Sequence, residues 1–506
     1  MVYLAHITEP AYDVFSAGSE HLLLKNRSPL FRSLRSQFAH LLLLGFATLT
    51  LCSCGPQYYK FPQYTFANRP IPPSKLANRV MVSVSADGST GGLTVLDAKR
   101  DIRGNIQNTV RNYTVGGYSS GYPSTILNFP EQVRGYVYSN SDGSLFNVNY
   151  GTESANAAPG LPAGSRSSSV VVSQDFLDVY AAQETSGQLI ISDSNAPART
   201  YALNLPGVYK VAVNRGNTVI LAMVRNSNLL YRAIRLNANQ PPPPGNVDCQ
   251  PINNPVYCVI PVSGSYDRPV DAYFSVDGTT AYLLNCGPEC GGQTASVSVL
   301  LQAPLNYKTI PTTSPEPSPI AASILVPGGV TTALADADTL YVAGQQLLPD
   351  GMYTGNLSTI SLASNTVTGR YGISDGYHSK LLFADDNTLW VGSQSCAGGE
   401  RAKLGQNYNC LTRFDLGAKT AQIVPNSTPG GATTVPYPND NLNQYYYGSL
   451  TGLCWVQNFH KVYTAYGGQV HAFNTADGSE INNTLITVQG TALDVAYMDA
   501  VTNAAN

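Results

Sequence analysis

Residues 210–236 read KVAVNRGNTVILAMVRNSNLLYRAIRL. Three apolar runs are separated by short polar hinges rich in Asn, Arg and Gly. The runs favour β-branched, Leu and Tyr residues, which suit a pleated surface, and the hinges carry the residues that make tight turns. The stretch therefore reads as a three-stranded antiparallel meander. A sheet of three or four strands cannot cover both of its own faces, so it needs neighbours.

The neighbours are present in the same chain. The unit recurs at 271–285 (DAYFSVDGTTAYLLN, then ASVSVLL at 295–301) and at 331–344 (TTALADADTLYVAG, then LSTISL at 357–362). Further copies lie at 380–393 (KLLFADDNTLWVGS, then LTRFDL at 411–416) and 453–473 (LCWVQNFHKVYTAYGGQVHAF). Weaker copies begin at Thr125 and Ser169. Sheets repeated in this way bury their faces by stacking, and radial stacking gives a β-propeller. A β-helix repeats at shorter periods, and a tandem of sandwiches would not reuse one unit so often. The fold class expected is all-β, a single propeller of seven or eight blades.

The two ends of the chain complete each other. TALDVAYMDA at 491–500 looks like a first strand with nothing after it. RVMVSVSADGSTGGLTVLDA at 79–98 looks like a second and third strand with no first. Joined, they make one blade, which closes the ring and removes an open sheet edge.

At the level of the repeat, FSVDGTTAYLLN at 274–285 with ASVSVL after it resembles YVTN and YncE-like propellers. Their unit is a Ser-x-Asp-Gly turn, a Tyr- and Val-rich strand, then a Ser-Val-x-Val strand. VSVSADGSTGGLTVLD at 82–97 and YGGQVHAFNTADGSEI at 466–481 are similar, and the latter also resembles blades of quinoprotein dehydrogenases. The resemblance spans most of 79–500 and implies the fold. Relatives of this kind include lactonase-like enzymes, secreted proteins and surface-layer modules, so it leaves activity open.

Composition agrees with an exported protein. Only 12% of the 506 residues are charged, against about 25% in an average soluble domain. A net charge of -3 excludes a strongly basic nucleic-acid binder. Lys25, Arg27, Arg32 and Arg35 precede the apolar run FAHLLLLGFATLTL at 38–51. That pattern is a signal peptide, and it runs into Leu51-Cys52-Ser53-Cys54-Gly55, which resembles a bacterial lipobox. Residues 1–53 are accordingly an N-terminal extension and signal, with Cys54 as the lipidated mature terminus and Cys52 as the alternative. Gly55 is not the aspartate that favours inner-membrane retention, so the outer membrane is the expected address. Residues 54–78 hold five prolines and read as a tether, or as an arm packed along the domain that follows at 79–506.

Seven cysteines remain once Cys52 and Cys54 are set aside. Cys249 with Cys258, Cys286 with Cys290, and Cys396 with Cys410 are close in sequence and lie in Gly-, Pro- or Asn-rich segments. They read as three disulfides stapling loops, and Cys454, inside LCWV, as a buried free thiol.

Chemistry is sparse. The mature chain keeps His378, His460 and His471, without helical metal-site spacing, and it has no serine elbow or phosphate loop. Asp336 with Asp338, and Asp385-Asp386-Asn387, fall where the repeat turns, and Asx-turns explain them before calcium does. No metal and no cofactor are expected. His378 lies where a loop enters an inner strand, which brings residues to the axis. Tyr445, Tyr446 and Tyr447 follow an amide-rich stretch and could stack on a sugar or peptide. These four residues are the candidate ligand-binding positions.

Two readings follow. The first is a lipid-anchored monomeric binding or scaffold module at the cell envelope, whose partners are the membrane and an envelope protein or carbohydrate. The second is a lactonase- or dehydrogenase-like enzyme with an axial site. Three or more convergent Asp, Glu, Arg or His side chains at the axis would favour the enzyme, and small apolar residues there would count against it.

Overall fold

A computed structural model describes Arg69 and residues 72–503, except 104–113, 159–160, 163–164, 194–198, 238, 251–255, 397–408, 425–446, 482–485 and 487. Cys54, Tyr445 and Tyr446 lie outside the described residues.

Eight antiparallel sheets form eight blades. Seven take consecutive segments of chain, and their first, innermost strands are Pro123–Phe129, Ser169–Val172, Val208–Val213, Pro269–Phe274, Thr332–Ala335, Tyr377–Ala384 and Leu450–Val456. These are blades two to eight. Blade one is composite: Thr491–Tyr497 pairs with Arg79–Ser85, which pairs with Gly91–Asp97. The ring is therefore an eight-bladed β-propeller closed by its two ends. Among the described residues, each blade has four strands except blade four, which has five.

Sequence period explains the stacking. In the second strand of blade seven, Thr388–Gln394, six of the seven residues are buried. Leu389 and Val391 pack with Tyr341 and Leu357 of blade six, whereas Trp390 packs with Leu453, Val462 and Phe473 of blade eight. Alternate side chains point to opposite faces of a strand, so a strand buried at nearly every position needs a neighbour on each side. Blade one obeys the same rule. Val80, Val82 and Val84 meet Cys454 and Tyr463 of blade eight, while Met81 meets Val137 and Phe146 of blade two. Every one of the eight interfaces between blades has such a cluster.

Ring closure adds a buried polar lock. Arg79 is 3% exposed, and its guanidinium bonds Asp499 at 2.7 and 3.0 Å and Glu153 at 2.8 Å. Ser74 donates its hydroxyl and its backbone N–H to the same Glu153. Arg69 donates to the carbonyls of Pro130 and Ala500. The last residues of the proline-rich stretch thus pack against the ring.

The disulfides Cys249–Cys258, Cys286–Cys290 and Cys396–Cys410 are present, and Cys454 is a buried free cysteine. Cys249 and Cys258 are direct cross-strand partners on blade four.

Candidate functional site

First strands begin, and second strands end, on the same face of the ring, because the two run antiparallel. A residue early in a first strand and one just after a second strand therefore share one mouth of the axis. Lys210, Asp271 and Tyr377 are of the former kind; Arg225, Glu184 and Glu289 are of the latter.

Six first strands carry a register irregularity near this mouth, at Val208/Lys210, Pro269/Asp271, His378/Lys380, Leu450/Gly452, Pro123/Thr125 and, in blade one, across Leu493. A bulge re-aims the residues that follow it. The residues immediately after these bulges are Lys210, Asp271, Lys380, Gly452, Thr125 and Asp494. All are polar except the glycine. The Lys210 ammonium lies 2.7 Å from Asp271, both half-exposed. Lys380 lies 3.5 Å from Asp494, which is 2% exposed and also accepts the Ile126 N–H. A Cβ on Gly452 would stand 2.7 Å from the Asp494 carboxylate. The missing side chain of blade eight makes room for a pair between blades seven and one.

Above this layer is a polar cleft of about 500 Å³, lined by residues that include Tyr209, Lys210, Arg225, Asp271, Glu289 and Tyr377. Arg225 forms a two-bond pair with Glu184, one bond at 2.9 Å, and lies over the Tyr209 ring at 4.5 Å. Tyr209 donates its hydroxyl to the Pro269 carbonyl. Burial opposes the Lys210 charge, but the Asp271 carboxylate outweighs it and holds the ammonium above its ordinary pKa. Burial pushes the Glu289 carboxyl up to about 7, against two hydrogen bonds from Gln345. A carboxyl poised there can give or take a proton at neutral pH.

A second cavity, of about 580 Å³, is lined by Arg69, Arg79, Phe459, Tyr497 and Asp499 among others. Its central charges are the ring-closing lock itself, already paired with one another.

Of the candidates named from sequence, His378 and Tyr447 are not among the residues lining this cleft, and Tyr445 and Tyr446 lie outside the described residues. His378 is fully buried on the first strand of blade seven, ahead of the bulge. Its Nε2 meets the Ser374 carbonyl at 2.7 Å, its Nδ1 has no partner, and burial pushes its pKa down to about 4. The imidazole therefore does not open onto the mouth; the preceding residue, Tyr377, does. Tyr447 donates to Glu480 at 2.6 Å and stacks on His471 at 4.2 Å, and His471 Nδ1 meets the same Glu480 at 2.6 Å. The tyrosine is thus engaged inside blade eight. Asp336 accepts the backbone N–H groups of Asp338 and Thr339 in its turn, and Asp386 accepts from Thr475 and faces His460. Among the described residues, no group of three or more His, Cys, Asp and Glu side chains is placed to hold a metal ion.

Sequence reasoning missed the cleft. Glu289 was visible only as a letter inside the CGPEC staple, and Lys210 only as the first letter of a repeat. Their signal was rarity: charged residues at strand starts in a chain that has few.

No family model matches the chain, and no curated protein matches it in sequence. Solved structures with similar chains include the dihydro-heme d1 dehydrogenase NirN in complex with DHE (13% identity, TM-score 0.49, covering 87% of this chain and 82% of that one). Kuenenia stuttgartiensis hydrazine synthase is similar at 15% identity and TM-score 0.43, covering 74% of this chain and 100% of that one. The Pseudomonas aeruginosa periplasmic gluconolactonase PpgL is similar at 13% identity and TM-score 0.39, covering 83% of this chain and 98% of that one. The fold rests on the eight sheets and their order, and these likenesses carry no argument about chemistry.

Proposed function

We propose that this chain is a lipid-anchored, extracytoplasmic propeller of the YVTN and YncE-like kind that binds a small polar ligand in the mouth of its ring. The observation that carries the binding reading is the convergence of Lys210, Arg225, Asp271 and Glu289 beside Tyr377 in one cleft. Only 12% of the chain is charged, so four such groups at one mouth are a concentration. Paired charges offer both donors and acceptors, and Tyr377, 48% exposed, offers a ring to stack on. A hydroxylated small molecule with one charged group matches that set. The anchor and its outer-membrane address rest on Cys54 and the segment before it. The three disulfides fit an oxidising compartment.

The test is binding of a panel of neutral sugars, sugar acids and amino acids, read by calorimetry on the soluble domain. Binding that is lost in Lys210→Ala supports the reading; a panel without a single binder overturns it. Labelling cells with a radioactive fatty acid tests the anchor, and a Cys54→Ala variant should stay unlabelled.

A second reading is favoured by one observation. Asp271, Glu289, Arg225 and Arg268 all line the cleft, and a charge cluster of this kind is what an axial active site requires. Under that reading the cleft hydrolyses or isomerises its ligand with Glu289 as acid or base. Lactones are the first substrates to try, and Glu289→Gln should abolish turnover while leaving binding.

A further inference from the structure

Glu289 sits on a four-residue turn closed at both ends. Gly287–Cys290 forms one 3-10 turn, and the Cys286–Cys290 disulfide ties its start to its end. Gly291, at a φ of +75°, then leads the chain away. The turn leans on blade six. Tyr353 donates its hydroxyl to the Pro288 carbonyl at 3.0 Å. Gln345 gives its backbone N–H to Glu289 at 2.7 Å and its side-chain amide at 3.2 Å. Gly329 supplies the last wall, since a Cβ there would stand 2.1 Å from the Glu289 carboxylate. One blade thus presents a carboxyl and the next keeps an empty place for it.

Other charged groups line the cleft beside this socket. Lys210 and Arg225 line the cleft from blade four, Asp271 and Arg268 from Glu289's own blade, and Tyr377 from blade seven. Lys210 is committed to Asp271, and Arg225 to Glu184. Among the described residues, the hydrogen bonds to the Glu289 carboxylate come from the Gln345 backbone and side chain.

We propose that Glu289 is the proton-exchanging group of the mouth cleft and that the Cys286–Cys290 disulfide is its positioning device, pressing the carboxyl into the socket on blade six. The inference rests on the cleft being the ligand site. Glu289 hands a proton to, or takes one from, an oxygen of a ligand held at Lys210 and Asp271, and water restores the balance. Burial without a cationic partner is what such a group needs, because it keeps the neutral acid and the carboxylate close in energy. A disulfide loop that runs only from Cys286 to Cys290 has almost no freedom to swing its carboxyl back to water.

The experiment follows carboxyl titration in the ligand-free protein between pH 4 and 9, by carbon NMR of labelled glutamate. One glutamate should titrate near pH 7, and its signal should vanish in Glu289→Gln. In a Cys286→Ser/Cys290→Ser double variant the midpoint should fall into the ordinary carboxylate range, because the loosened turn lets water reach the carboxyl. In Gln345→Ala it should rise instead, because the carboxylate loses a donor. If the double variant does not fold, phosphine reduction of the folded protein opens the bond to two thiols, with the phosphine taking oxygen from water; the same fall is expected, and it should persist in a Cys249→Ser/Cys258→Ser variant, where that other staple is already absent. A glutamate midpoint below pH 5.5 in the parent protein overturns the first half. Equal midpoints with and without the disulfide overturn the second. The titration needs no ligand, so the two failures are distinguishable: a failed titration overturns this inference alone, whereas a failed calorimetry panel removes the ligand reading on which it rests.

Discussion

At the scale of the single residue, the mouth separates groups that hold the fold from groups free to act. Lys210 and Asp271 are half-exposed, and pairs of that kind contribute about 1 kcal/mol or less to stability. Lys210→Ala should therefore weaken ligand binding at least tenfold while moving the urea midpoint little; a large loss of stability would make the pair structural. His460 acts differently. It is exposed on the face opposite the mouth, with Nδ1 3.0 Å from Asp386. The hydrogen bond to Asp386 raises the His460 pKa above its ordinary value. Burial opposes the Asp386 charge, but Thr475 and His460 outweigh it and lower its pKa. The histidine's contribution is complete below its unfolded pKa of about 6.5 and fades as pH climbs through the raised folded value. The aspartate's contribution fades as pH falls below about 4. The melting temperatures of the parent protein and His460→Ala should therefore differ most near pH 5–6 and converge above pH 8. A difference that persists at pH 9 would show that charge is not involved.

At the scale of the element, strands were legible and their irregularities were not. Period-two patterning and Asp-Gly turns mark a strand from within, and Asp277-Gly278 keeps that turn here, with Gly278 at a φ of +74° and Asp277 accepting the Thr279 N–H. A bulge exists only between two strands, so no single stretch of letters reveals it. That is why His378 looked like an axial residue: the bulge at Ser379 turns Lys380, not His378, toward the mouth. The outer strands were hidden for another reason. Ile320–Leu325 follows a long connection, and only Ile324 of its six residues is buried, so the apolar run IAASIL carries no alternation that marks it as a strand. The cysteine pairs, by contrast, were fully readable, because loops that close within 4 to 14 residues leave little choice of partner. The bulged layer also makes a prediction. Gly452→Ala would drive a methyl group against the Asp494 carboxylate and the Val495 N–H, each 2.7 Å away. Overpacking of that kind costs about 1–3 kcal/mol, and denaturant unfolding should show it; an unchanged midpoint would mean that blade eight can yield.

At the scale of the whole molecule, sequence could show that the ring closes but not how many blades it has. The termini announced closure because each lacked what the other had. The count stayed at seven or eight because the copies from Thr125 and Ser169 match the unit weakly, and only their packing proves that they are blades. Phe129 and Tyr136 of blade two meet Val172 and Val179 of blade three in a cluster of their own. A ring of eight stacked sheets places unusual weight on its seam, where strands more than 400 residues apart in the chain must find each other before any edge is covered. At that seam Arg79 joins both ends of the chain and the next blade through one guanidinium, and Arg69 supports it by donating to the Ala500 and Pro130 carbonyls. Arg79→Met takes the guanidinium from the buried Glu153 and leaves Asp499 only its longer contact with Arg69, at 3.8 Å. Breaking a buried network in this way costs about 3–5 kcal/mol, whereas Arg225→Met, on an exposed pair, should cost about 1 kcal/mol or less. Urea unfolding of the two variants side by side measures the contrast. If the seam is the weakest point of the ring, Arg79→Met should also speed proteolysis at the N-terminal strands before the other blades open. Equal stability of the two variants would mean that the eight apolar seams hold the ring without the lock.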